Sequence, residues 1–98
     1  MILVTGSFIA REGRLPDALA LSLEHVRRSR QEIGCLSHAV HQDAENVSRL
    51  VFIEEWSDQE ALSAHFAVPA SREFVRAVRA LAVDAPTISI FTVTRAGD

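Results

Sequence analysis

Apolar and polar positions alternate along the chain with two different periods. Residues 2–10 carry β-branched and aromatic side chains at Ile2, Val4, Thr5, Phe8 and Ile9, which predicts a first strand. Beyond a polar turn, Arg11-Glu12-Gly13-Arg14, the period lengthens: Leu15, Leu19, Leu23 and Val26 recur at helical spacing, and Ile33 prolongs the stripe. Pro16 suits a first helical turn, Asp17 faces the positive end of the dipole, and Gly34 predicts the stop. Glu24 and Arg28 form an i,i+4 pair on the opposite face, where His25 is expected to be solvated. A second strand is predicted from Cys35 to Gln42 and a third from Arg49 to Trp56, joined as a hairpin by a turn rich in Asp43, Glu45, Asn46 and Ser48. Ser57-Asp58-Gln59-Glu60 reads as a capping box. The helix it opens presents Leu62, His65 and Phe66; Pro69 breaks it, and a further stretch groups Phe74, Val78 and Leu81 opposite Arg72, Arg76 and Arg79. Pro86 closes this stretch, a last strand runs from Thr87 to Thr94, and the remainder is tail.

The order β-α-β-β-α-β, with its second helix broken in two, predicts an α+β protein. The arrangement is ferredoxin-like: an antiparallel sheet with helices on one face. A sheet open to water on its other face should alternate apolar with polar residues. Here Leu50 and Phe52 oppose Val51 and Ile53, and Ile88 and Ile90 oppose Phe91 and Val93, so both faces are apolar. The helices can cover only one, and no loop is long enough to cover the other. A homodimer is therefore expected.

Composition narrows the chemistry. The 98 residues, 48% apolar and 23% charged, fit one globular domain over 1–98 with an ordered core to about residue 95. A net charge of −3 and no basic cluster argue against nucleic acid. All 10 basic residues are arginine and tyrosine is absent, which excludes a lysine Schiff base and a tyrosyl acid. The lone Cys35 reads as a small apolar residue. The N-terminal apolar run lacks a charged leader and nothing approaches a membrane span, so a reducing cytoplasm is expected.

Few residues remain as candidates for chemistry. Trp56 is either a core anchor at a strand–helix corner or the wall of an aromatic pocket. Glu54 and Phe52 share its strand face, and a carboxylate on an apolar face could act as a general base or sit inert beside an arginine. His65, on the apolar side of its helix, is either packed or a proton shuttle. His38 and His41, three apart in a strand, leave opposite faces and cannot share an ion; no metal site is expected. Arg72 could reach an anionic group at a cleft mouth. No glycine-rich phosphate loop or serine elbow supports a nucleotide cofactor or a hydrolase.

Several segments together resemble the antibiotic biosynthesis monooxygenase (ABM) domain family. They are Gly34-Cys35-Leu36-Ser37, His41-Gln42-Asp43, Ser48-Arg49-Leu50-Val51-Phe52-Ile53-Glu54-Glu55-Trp56 and Asp58-Gln59-Glu60-Ala61-Leu62-Ser63-Ala64-His65-Phe66. The resemblance runs from residue 1 to about 95. It implies ferredoxin-like subunits pairing into a dimeric α/β barrel, with a pocket between sheet and helices. It also implies oxidation of a small phenolic or quinol-type aromatic by dioxygen, without cofactor or metal. Trp56 matches the family's pocket tryptophan, Glu54 a frequent strand carboxylate and His65 a frequent helix histidine. His38 stands where tyrosine is common, and Arg72 where a second histidine often follows. A haem-degrading branch uses an asparagine and a histidine where this chain has Ser7 and Val78, which argues against haem. The expected site is thus His65 and Glu54 as catalytic groups, with Trp56, Phe52, Ser7, His38, Phe66 and Arg72 binding substrate. The alternatives are an isomerase or tautomerase of a small carbonyl compound, and a non-catalytic dimeric ligand-binding module.

Overall fold

A computed structural model describes residues 1–97; Asp98, the end of the expected tail, lies outside them. The elements are β1 (Ile2–Ile9), α1 (Leu15–Ser29), β2 (Cys35–Asp43), β3 (Asn46–Trp56), α2 (Gln59–Ala67), α3 (Pro69–Leu81) and β4 (Thr87–Thr92). The strands form one antiparallel sheet in the order β2-β3-β1-β4, the ferredoxin-like topology the sequence predicts. The hairpin is tighter than expected, with Asp43 facing Asn46 across its turn, and β4 ends two residues early.

Register decides which residues meet the helices. Val4 lies between Glu54 and Ile90, and Gly6 between Phe52 and Ile88. Phe8, Leu50, Phe52 and Val26 join Val78 and Leu81 in one core cluster, while Ile2, Val4, Trp56 and Leu62 form a second. On the opposite face Ile53 and Phe91 remain 43% and 47% exposed, so the sheet is apolar on both sides as read from the sequence. No helix among the described residues is long and apolar enough to cross a membrane.

Four local expectations are corrected. In α1 the fully buried row is Ala18, Ser22, His25 and Ser29, together with Val26; Leu15, Leu19 and Leu23 flank it. Small side chains let α1 approach its neighbours closely, so burial follows them rather than the leucines. The helix ends at Ser29, and Ile33 is 94% exposed beyond it. The Arg28 guanidinium turns inward to His25 and Ser71 instead of meeting Glu24. Finally, Asp58, not Ser57, caps α2, its carboxylate accepting the Ala61 amide at 2.8 Å.

Candidate functional site

A cleft of about 350 Å³ opens between the helices and the inner face of the sheet. Its floor is Val4, Gly6, Phe8, Phe52 and Ile88; Phe66, Phe74, Val75 and Val78 form its helical wall. Gly6 keeps the floor low, since a Cβ there would stand 3.1 Å from the Thr87 carbonyl oxygen. The polar groups of the lining include His25, His65, Glu54 and Ser71.

His65 comes from the last turn of α2, whose only other buried residue is Leu62, one helical turn away. Its ring lies 4.6 Å from that of Trp56, and its Nδ1 is 2.8 Å from Glu32 Oε1. Glu32 sits in the tight turn after α1, where its amide bonds to the Ser29 carbonyl and its own carbonyl accepts from Cys35. Gly34, at φ 84°, completes that turn, and its carbonyl receives the Ser57 amide.

Glu54 projects from β3 toward the same space. Its Oε1 accepts the Trp56 indole N–H at 2.9 Å and lies 3.3 Å from His38 Nε2, though outside hydrogen-bonding alignment. Burial pushes the Glu54 carboxyl up; the adjacent His38 and the indole donor outweigh it, holding the group below the ordinary carboxylate range. An ionised Glu54 is a weak base, and an imidazole is the stronger proton acceptor in this lining.

His25 was expected in solvent. It is 5% exposed, on the lining, and stacked on Phe74 with centroids 3.9 Å apart and planes within 4°. Burial, followed by repulsion from His38, His65 and Arg28, lowers its pKa to about 3. His25, His38 and His65 form a triangle with ring centroids 5.3, 5.4 and 5.6 Å apart. Each offers a ring nitrogen within 4.8 Å of the others, the spacing of a possible cation site. Arg28 Nη2 stands 2.9 Å from His25 Nδ1. A guanidinium only donates, so that nitrogen accepts and the proton of the ring sits on Nε2. A fixed cation at one nitrogen and a proton on the other fit hydrogen bonding better than ligation of a dication.

Of the expected site residues, the cleft lining brings together His65, Glu54, Phe52, Ser7, Phe66 and Arg72. Trp56 and His38 stand behind it, 0% and 2% exposed, and touch its polar end through Glu54 and His65. Ser7 lies at the β4 side, its hydroxyl 2.8 Å from that of Thr87. His41, as expected, is exposed and away from His38. Cys35 has its thiol pushed up by burial and by Glu54 and Glu32, the opposite of an activated nucleophile. Composition hid His25, Glu32 and Phe74. The one available signal was the Ala18-Ser22-His25-Ser29 spacing of small and polar residues along one helical row.

Comparison with known proteins agrees with this architecture. A family model described as antibiotic biosynthesis monooxygenase matches residues 1–77. An uncharacterized protein of Synechocystis is 29% identical over 92 residues; the match covers 94% of this chain but only 63% of that relative. A Deinococcus radiodurans protein provisionally described as an antibiotic biosynthesis monooxygenase superposes with a TM-score of 0.94 at 23% identity, covering 100% of this chain and 97% of its own. A second structure, described as an antibiotic biosynthesis monooxygenase, gives 0.89 at 27% identity, covering 97% and 100%.

Proposed function

Because the chain belongs to the antibiotic biosynthesis monooxygenase family, we propose that it oxidises a small phenolic or quinol-type aromatic with dioxygen and without a cofactor. The observation that carries this reading is an imidazole backed by a carboxylate, His65 with Glu32, at the polar end of an otherwise apolar cleft. Phe66, Phe74 and Phe52 offer faces to an aromatic ring. An apolar cavity favours the neutral phenol, so ionisation needs a placed acceptor, and His65 supplies it. The electron-rich anion then supplies all four electrons to dioxygen: a ring C–H bond breaks, one oxygen atom becomes the new carbonyl of a quinone product, and the other leaves as water with the ring hydrogen and the phenolic proton. Glu54, held ionised by Trp56 and His38, compensates positive charge gained by the histidines. Trp56 and His38 act by positioning Glu54 and His65. Arg72 at the lining offers a cation to an anionic substituent.

The working unit in this proposal is a homodimer. Leu3, Val51, Ile53 and Phe91 lie on the sheet face away from the helices, and a second copy of that face is the matching cover.

The reading is tested with a panel of hydroquinones, naphthols and anthrone-like compounds. Quenching of Trp56, the single tryptophan, reports binding, and an oxygen electrode reports turnover. One dioxygen consumed per substrate is expected. Turnover of a carbonyl compound without oxygen uptake would favour the isomerase, and binding without turnover the ligand-binding module.

A further inference from the structure

Two histidines face the cleft, and the groups behind them are chemically opposite. Arg28 Nη2 meets His25 Nδ1 at 2.9 Å, whereas Glu32 Oε1 meets His65 Nδ1 at 2.8 Å. Both partners come from the C-terminal end of α1 and its following turn, four residues apart. Arginine has no acceptor, so His25 Nδ1 is bare and the neutral ring carries its proton at Nε2. A carboxylate accepts, so His65 Nδ1 holds the proton and the neutral ring is bare at Nε2. The ring centroids are 5.4 Å apart. Each ring offers a nitrogen within 4.8 Å of the other's, a span that one oxygen atom hydrogen-bonded to both at about 2.8 Å can bridge.

We propose that Arg28 and Glu32 impose opposite tautomers on this pair, so that His25 donates a hydrogen bond to the substrate oxygen from which His65 removes the proton. This rests on the reading of the cleft as a place where a phenol ionises, and adds a second catalytic residue and a positioning residue. The O–H bond of the phenol breaks, its proton moves to His65 Nε2, and the electron pair stays on oxygen facing the His25 Nε2–H. A neutral imidazole suits the role of donor, because it stabilises the oxyanion without reprotonating it. Burial and the Arg28 charge keep His25 neutral across the physiological range. The stack on Phe74 fixes its plane, and Ser71 accepts the other Arg28 bond at 3.0 Å, holding the guanidinium in place. Arg28 does not touch the substrate; it acts through His25.

Two-bond proton–nitrogen correlation spectra of the full chain, labelled with ¹⁵N-histidine, read each neutral ring directly and need no substrate. His25 protonated at Nε2 and His65 protonated at Nδ1 are expected; either ring in the other tautomer overturns the proposal. Added 1-naphthol should shift the His25 Nε2–H resonance. An unmoved His25 signal, while Phe66 and Phe74 signals shift, overturns its role as donor. Arg28→Met should free His25 to mix tautomers and lower kcat about 100-fold with KM changed little, and Arg28→Lys should recover most of both. An Arg28→Met protein with unchanged tautomer and rate overturns the positioning role. Should that variant not fold, the wild-type spectra and Arg28→Lys decide alone. Expected tautomers in a protein that oxidises no phenol would fail the oxygenase reading and leave the tautomer assignment intact.

Discussion

His25 shows how far one side chain's surroundings outweigh its type. Its folded pKa of about 3 against 6.5 in an open chain means that, as pH falls below about 6.5, the unfolded chain takes a proton the fold refuses. Stability therefore falls with pH, by at most about 1.4 kcal/mol per pH unit from this group, until pH approaches 3. His25→Asn keeps an acceptor for Arg28 and removes the titration. The loss of urea-unfolding free energy between neutral pH and about pH 5 should shrink in the variant by about 2 kcal/mol; an identical acid loss in both proteins would contradict the burial argument. Glu54 works in a lower window. Its depressed carboxyl contributes fully above the ordinary carboxylate range and loses that contribution as pH falls through the folded value. At this scale the sequence was partly legible. Residues 54 and 56 share strand parity, so their common face followed from spacing, and the structure adds the indole–carboxylate hydrogen bond between them. The inward turn of Arg28 did not, because its partners His25 and Ser71 are contributed by two different helices.

Among the elements, the corner linking α1, β2 and α2 governs the site. Gly34 holds φ 84°, and a Cβ there would collide with the Ala61 Cβ and approach Ser57 Oγ to 2.8 Å. Gly34→Ala should cost about 1–3 kcal/mol from backbone strain and displacement of α2, and should also lower cleft affinity, because Glu32 and His65 are set by that corner. Thermal unfolding with naphthol titration checks both; a variant of wild-type stability would contradict it. Asp58→Ala removes the α2 cap and should cost about 1 kcal/mol, while Ser57→Ala should be milder, against the sequence expectation of a serine cap. Seven elements were legible because strand parity, helical period and the prolines at 69 and 86 are local signals. Where α1 buried its surface was not, since leucine content pointed one row away from Ala18, Ser22, His25 and Ser29. Three histidines from three elements converge only once β2 and the helices have packed.

The whole molecule leaves apolar surface on the sheet face away from the helices. Ile53 and Phe91, both on that outer face, are 43% and 47% exposed. Sedimentation should give the mass of two chains at micromolar concentration, and Ile53→Arg should give one; a wild-type chain that stays monomeric, folded and soluble would contradict the homodimer. Fold class was legible because β-α-β-β-α-β admits few topologies; His65 and Glu54 were legible as candidates, whereas the grouping of His25, Arg28 and Glu32 with them was not, because it arises from packing. The proposed proton abstraction is open to one optical experiment. A phenol that titrates near neutrality, such as 4-nitrophenol, is added without oxygen at a pH one unit below its own pKa. The yellow phenolate band, weak in free solution, should grow on binding to the wild-type protein and fail to grow with His65→Gln. A phenol that binds the wild-type cleft with no growth of that band would contradict proton abstraction by His65.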